Sequence, residues 1–422
     1  MRQIAIISHK FPPVNSGYGN QALAVLKKII VSSNDLSFDI LTAKYHIKEC
    51  YETDNRIRIN YLWHRLISAN TEQISFINYS IFQVHAFFWL LLHFRHYELI
   101  HCLASGPHYA LAVIAGKLLK KKVILKITNE RFFKIEEYFL SDASFIKQNY
   151  VQKKNIMLNT WQIWFKNQFR KMLRYFNFYL LKIILLSDII IVLNSSIMLQ
   201  LDQHNISSKK IFKIPNGVDD KVYFPAKSKQ EIDYIRCKLN LESNSLVILY
   251  AGSISYIKGI QDLIEAIRSI KPKQNVTIIL CGEDGGYGLI LKKSLAEINR
   301  LNNLKAIYQG KVDNLAEYYR AADIFVLPSY IEGLPNVLLE AAMSGLPLVA
   351  SNIGGNKDII EKGCCGILFP PGNIELLKQA LQQLIEDKKL RSNLGSKARQ
   401  FALENYHLPC IAEQYMKLYR EL

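Results

Sequence analysis

No C-x-x-C pair occurs among the seven cysteines, Cys50, Cys102, Cys237, Cys281, Cys364, Cys365 and Cys410. That spacing excludes a zinc ribbon or a redox dithiol, and cysteines lying mostly in apolar stretches read as free thiols of a reducing compartment. Histidine is scarce in the second half, where only His407 lies beyond Glu231, and there is no D-x-D pair, so no metal site is expected. Repeats, low-complexity tracts and any nucleic-acid-binding module are missing, and nucleic acid is not an expected partner. No secretory leader is legible either. Met1 and Arg2 run into a strand-length apolar stretch and then a Pro/Gly loop, which predicts a cytoplasmic protein.

Long uncharged runs are rare. Residues 73–94 go about 22 positions without Asp, Glu, Lys or Arg, enough to span a bilayer by length alone. Gln73, Ser75, Asn78, Ser80, Gln83, His85 and His93 interrupt them, and a core-facing helix is favoured over a membrane span. Acidic side chains are outnumbered, 36 against 53 basic ones, for a net charge of +17. The imbalance sits in the first half, with about 29 Lys and Arg against about 15 Asp and Glu up to Pro225. Lys120-Lys121-Lys122 and the cluster at 166–174 suit an anionic acceptor or the acidic inner leaflet of the plasma membrane, so peripheral contact through the N-terminal domain accompanies the cytoplasmic expectation.

What is present in quantity is apolar surface. Half of the 422 side chains are hydrophobic, enough for two cores of roughly 200 residues each. Short Ile/Val-rich runs at 4–7, 38–41, 99–102, 123–127 and 189–193 alternate with helical patterns such as 21–30 and 109–119. A second series runs through 246–251, 276–281, 305–308, 324–327 and 346–350, with helices near 260–270, 289–299 and 315–321. This alternation is that of parallel sheets covered by helices. The expected fold is α/β, two Rossmann-like doubly wound domains facing each other across a cleft. The turn Pro215-Asn216-Gly217 and the polar stretch behind it mark the join. Expected domains are 1–218, 219–398 and a C-terminal helical segment 399–422, broken at Pro409.

The most informative stretch, 329–347, reads S-Y-I-E-G-L-P-N-V-L-L-E-A-A-M-S-G-L-P. Pro335 suits a first helical position, Gly345 the residue past the end, and Pro347 stops continuation. A strand at 324–327 precedes this helix, so its amino terminus opens at the carboxyl edge of the sheet, where free N–H groups and the helix dipole favour a phosphate. Glu332 stands before the helix and Glu340 about 8 Å along it. Both can accept hydrogen bonds from hydroxyls; a surface helix with two solvated glutamates is the plainer alternative. Lys258, in the loop 252–259 after the strand 246–251, can neutralise a phosphate on the same edge.

This stretch resembles the signature of the retaining, two-Rossmann (GT-B) glycosyltransferases of family 4, the bacterial group 1 glycosyltransferases. The resemblance extends to Gly310-Lys311-Val312, to the run 321–329, to Gly354-Gly355, to 215–219 with Phe224-Pro225, and to Phe11-Pro12-Pro13 before Gly17 and Gly19. It implies a catalytic role for Glu332, near the reacting centre of the transferred sugar, and for Lys258. Donor binding is implied for Glu340, on the ribose, and for Gly17, Gly19, Gly252, Ser253, Val312, Asn336, Val337 and Leu338. His101 and Asn129 are its candidates for an acceptor or sugar contact. Ser253 stands where the family usually carries an arginine, and no histidine occupies the region 128–130, where many relatives have one. The implied activity is metal-independent transfer of a hexose, with retention, from a nucleotide-diphosphate sugar, UDP-based by preference, to a polysaccharide or lipid-linked oligosaccharide. The resemblance also implies that 1–218 binds the acceptor, that 219–398 binds the nucleotide sugar and that the C-terminal helix in 399–422 packs back on the first domain; no cofactor is implied. An inactive nucleotide-sugar-binding partner and an epimerase on the same fold are the alternatives. Between 161 and 186, aromatic residues interleave with Lys166, Arg170, Lys171, Arg174 and Lys182, a pattern equally suited to a bilayer interface and to core packing.

Overall fold

The computed structural model describes residues 1–12, 16–44, 54–62, 76–104, 109–129, 179 and 182–422. Pro13, Glu130 and the basic cluster at 166–174 lie outside them. The chain divides into two units, Met1–Ile214 with Ile411–Leu422, and Pro215–Cys410.

The first unit holds seven parallel strands: β1 (Arg2–Ile7), β2 (Leu36–Ala43), β3 (Ile57–Leu62), β4 (Leu99–Cys102), β5 (Lys122–Ile127), β6 (Ile189–Val192) and β7 (Ile211–Lys213). Their order is β3-β2-β1-β4-β5-β6-β7. The inner strands read as unbroken apolar runs because both faces are covered; Ile4, Ile6, Ile100, Ile124 and Ile190 are fully buried. Helices α1 (Gly17–Ser32), α2 (Phe76–Leu92), α3 (Ala110–Leu118) and α4 (Ser195–Gln203) provide the cover. The uncharged run at 73–94 yields α2, which buries Phe82, Ala86 and Leu90 at helical spacing and leaves Val84, Phe88 and Leu92 exposed. No helix among the described residues is long and apolar enough to cross a membrane. Lys120 to Lys122 form the turn out of α3, with Lys120 at a φ of 53° and Lys122 opening β5.

The second unit has six parallel strands, β8 (Leu246–Ala251), β9 (Val276–Cys281), β10 (Leu304–Gly310), β11 (Ile324–Leu327), β12 (Leu348–Ser351) and β13 (Gly366–Phe369). The order is β10-β9-β8-β11-β12-β13. Strand order reverses between β8 and β11, and an open α/β sheet forms its ligand crevice beyond the carboxyl ends of such a pair. Helices α5 (Lys229–Lys238), α6 (Ile260–Arg268), α7 (Gly288–Ile298), α8 (Leu315–Ala321), α9 (Asn336–Met343), α10 (Gly354–Gly363), α11 (Ile374–Glu386) and α12 (Lys388–Tyr406) surround it.

Strands the sequence reading passes over, β3, β7 and β13, are all edge strands. One residue of six is buried in β3 and none of three in β7, so no apolar run announces them. The unit boundaries also differ from the expected ones. The whole of α12 stays with the second unit, and the chain returns to the first only from Ile411, within α13 (Leu408–Glu421). The helix break falls at His407, whose neighbours bridge to Val218: the Val218 N–H donates to the Tyr406 carbonyl at 2.7 Å and that of Leu408 to Val218 at 3.0 Å. Pro409 instead sits in the first turn of α13, where a missing N–H costs nothing.

Candidate functional site

At the carboxyl edge of the second sheet, glycines shape the approach. Gly252, which follows β8, has a φ of 150°, and Gly282, which follows β9, one of 152°. A Cβ on Gly282 would lie 1.8 Å from the Gly252 carbonyl oxygen, so only glycine lets the two turns lie side by side. Gly259 ends the short turn Tyr256–Lys258 at a φ of 67°, and a Cβ there would stand 2.0 Å from the Pro328 carbonyl oxygen. The β8–α6 loop can therefore press against the segment leaving β11. The Tyr330 N–H donates to the Ile257 carbonyl at 2.8 Å, and the rings of Tyr256 and Tyr330 stack 5.4 Å apart.

This contact brings together two groups 74 residues apart in sequence: Lys258 Nζ lies 2.7 Å from Glu332 Oε1. Ser329 Oγ donates to the same oxygen at 2.7 Å. The Glu332 side chain is only 9% exposed and that of Lys258 28%, so the pair is screened from bulk water yet open on the lysine side. Tyr250 is buried beneath, its hydroxyl donating to the Ser253 carbonyl at 2.8 Å. Ser253, in the place where the resemblance leads one to expect arginine, is exposed and faces Ser255 Oγ at 3.3 Å.

From Glu332 the chain runs into α9, which begins at Asn336 with Pro335 as its cap, one residue later than the sequence reading had it. No side chain caps this end. The N–H groups of Leu338 and Leu339 turn back to the Pro335 carbonyl, and Asn216 Nδ2 donates to the Leu334 carbonyl at 3.2 Å and to Asn336 Oδ1 at 2.8 Å. Asn336 and Val337 at the helix entrance are half-buried, whereas the Leu338 side chain is fully buried. Gly345 closes the helix at a φ of 76°, as its place in the sequence predicted.

Glu340 is half-buried on α9, and burial pushes its carboxyl from 4.5 up to about 7, opposed by hydrogen bonds from Tyr319 and Tyr223. Tyr319 Oη lies 3.1 Å from Glu340 Oε2 and 3.0 Å from the Val337 carbonyl. Neither tyrosine was legible as a site residue: Tyr319 reads as one more core aromatic of α8, and Tyr223 lies in the polar stretch after Pro215. Val312 stands half-buried two residues past β10, and Gly310 ends that strand at a φ of 70°. Among the described residues no group of three or more His, Cys, Asp or Glu is arranged to hold a metal ion.

In the first unit, Gly17 opens α1 and is exposed, while Gly19 is buried with its N–H on Ser16 Oγ at 3.1 Å. A Cβ on Gly19 would meet the Lys10 carbonyl oxygen at 2.7 Å, so close packing of its own loop accounts for that glycine. His101 departs from the role expected of it. It is 1% exposed, its Nδ1 lies 2.8 Å from Tyr419 Oη, and burial beside Lys126 lowers its pKa to about 3. Tyr415 and Tyr419 of α13 cover it, which places His101 in the interior of the first unit. Asn129 follows β5, half-exposed.

Residues 231–401 match the family described as glycosyl transferases group 1. Among curated proteins, the chain is 25% identical over 238 residues to the N-acetyl-alpha-D-glucosaminyl L-malate synthase of Bacillus anthracis, covering 56% of this chain and 60% of that protein. It is 32% identical over 204 residues to the N,N'-diacetylbacillosaminyl-diphospho-undecaprenol alpha-1,3-N-acetylgalactosaminyltransferase of Campylobacter jejuni, covering 48% of this chain and 52% of that one. The chain thus spans between half and two thirds of the length of these relatives. Among solved structures, it superposes on the sucrose-phosphate synthase of Thermosynechococcus elongatus with a TM-score of 0.76 at 21% identity, covering 100% and 99% of the two chains. The Anabaena protein Alr3699/HepE, solved in complex with UDP, matches with a TM-score of 0.69 at 18% identity over 100% of both chains. These structures establish the fold as GT-B.

Proposed function

We propose that this chain, whose residues 231–401 carry the group 1 glycosyl transferase match, is a retaining glycosyltransferase that moves a hexose from a nucleotide-diphosphate sugar to a saccharide or lipid-linked acceptor. The observation that carries the reading is the Lys258–Glu332 pair beside the uncapped amino end of α9, at the point where strand order reverses. A diphosphate there competes with Glu332 for the Lys258 ammonium and meets the first backbone N–H groups of α9. Glu332, released from Lys258 but still held by Ser329, then accepts hydrogen bonds from sugar hydroxyls near the anomeric carbon. Glu340, further along the helix, serves the ribose. Gly252, Ser253 and Val312 line the same edge, and Gly17, Gly19 and Asn129 are the residues of the first unit that the family resemblance assigns to donor or acceptor.

In the reaction, the bond from the anomeric carbon to the diphosphate oxygen breaks and one to the acceptor oxygen forms on the same face. The acceptor's proton passes to the departing phosphate. Lys258 and the helix terminus balance the leaving charge, so no divalent cation is required. UDP-sugars are the preferred donors, supported by the UDP complexes of the Anabaena structure. A lipid-linked acceptor is supported by the undecaprenol named in the Campylobacter relative and by the basic first half. A cytoplasmic enzyme in peripheral contact with the inner membrane face through its first unit completes the reading.

The test is release of nucleoside diphosphate from a panel of nucleotide sugars, with membrane lipid extract and EDTA present. Release from one donor that needs the extract supports the proposal, and Lys258→Ala is expected to lower kcat by about a hundredfold or more. Binding of the donor without release in any combination would instead indicate an inactive partner, for which Ser253 in the arginine position is the motivating observation. Donor consumption without an acceptor would indicate an epimerase.

A further inference from the structure

Two tyrosine hydroxyls from different elements converge on Glu340. Tyr319 comes from α8, and its single proton is shared between Glu340 Oε2 and the Val337 carbonyl. Tyr223 comes from the opening stretch of the second unit, and its hydroxyl acts on the same carboxylate, favouring its charged form. The two rings meet edge to face, 5.9 Å apart at 70°. The backbone under Tyr223 is fastened to the helix that carries Glu340. Arg399 of α12 donates from one nitrogen to the Tyr223 carbonyl at 2.9 Å and to the carbonyl of Met343, the last residue of α9. The Tyr223 N–H is held by the Asp219 carbonyl at 3.0 Å.

Resting on the reading of Glu340 as the ribose-facing carboxylate, we propose that Tyr223 and Tyr319 are positioning residues that hold the Glu340 carboxylate in one orientation toward the vicinal hydroxyls of a bound nucleotide. A diol donates two hydrogen bonds and needs a charged, fixed acceptor to receive them. Burial on α9 works against that charge, and the two phenolic donors work for it. The ionisable groups that act on Glu340 are Tyr319 from α8 and Tyr223 from the opening stretch of the second unit. Only the two tyrosines hydrogen-bond the carboxylate among the described residues.

The test uses the full chain and its Tyr223→Phe and Tyr319→Phe variants, which keep the rings and remove one hydroxyl each. UDP, GDP and ADP are titrated calorimetrically into each between pH 5.5 and 8.5. The Glu340 carboxyl is titrated in parallel by carbon-13 NMR, its resonance assigned by its loss in Glu340→Gln. In the parent protein, affinity is expected to fall as pH drops through about 7. Tyr223→Phe is expected to weaken binding about tenfold at pH 7 and to move the carboxyl titration to higher pH, with the affinity gap narrowing by pH 8.5. A variant with the parent's carboxyl titration and affinity profile overturns the proposal. If none of the three nucleotides binds the parent protein, the donor-site reading fails, and the carboxyl titration still decides whether the tyrosines hold Glu340.

Discussion

Replacing Glu340 by glutamine is expected to stabilise the unliganded protein above neutral pH while abolishing nucleotide binding. Burial lifts this carboxyl from 4.5 to about 7. Between those values the folded protein binds a proton that the unfolded chain has released, so stability falls as pH rises across that window. The contribution is complete below pH 4.5 and is lost as pH climbs through about 7. At about 1.4 kcal/mol per tenfold change in proton affinity, the ionised glutamate costs at most about 3.5 kcal/mol. Glu340 is half-buried, and glutamine accepts from the two tyrosines only through its carbonyl oxygen, so the expected net gain is about 1–2 kcal/mol. The assay is thermal denaturation of parent and variant at pH 5, 6, 7 and 8.5, following the transition of the second unit. The two should melt together at pH 5, and the variant about 3–6 °C higher at pH 8.5 for a unit of that size. A variant that melts at or below the parent at pH 8.5, or a difference that does not change with pH, would refute the assignment of a buried, reluctantly charged carboxylate.

Gly282→Ala places a Cβ 1.8 Å from the Gly252 carbonyl oxygen at a backbone φ of 152°; a loss of more than about 3 kcal/mol by urea denaturation is expected, with nucleotide affinity falling alongside it. Arg236 is 6% exposed and donates to the carbonyls of Ala321, Ser243 and Ser245 and to Asp323 at 2.7 Å. Arg236→Met leaves those acceptors without their cation and should cost about 3–5 kcal/mol, measured by the same denaturation; a change under 1 kcal/mol would show that water replaces it.

Much of the fold is legible because its signals are local. Strands β4, β8, β9 and β11 lie where their apolar runs put them, since inner strands covered on both faces need side chains of one kind throughout. The limits of α9 are likewise written in Pro335, Gly345 and Pro347, residues whose backbone preferences act over one turn. The edge strands β3, β7 and β13 escaped the reading because few of their residues are buried, and the return of the chain to the first unit begins at Ile411, later than the expected 399, because the proline at 409 lies inside a helix start instead of marking a stop.

His101 illustrates the other limit. A histidine near the end of a strand suits a ligand site and a packed interior equally well, and the choice was made by α13, more than 300 residues later, which lays Tyr415 and Tyr419 over the ring. By itself, the sequence determined the alternation of strands and helices, the phosphate-suited start of α9, and which glutamates and which lysine belong to that edge, because spacing and backbone preference act between near neighbours. Only the tertiary structure decided that Lys258 meets Glu332, that two tyrosines close on Glu340, and that His101 is shut away. Those contacts depend on which strands pair and which helices cover them, and pairing across tens or hundreds of residues leaves no periodic trace in the chain.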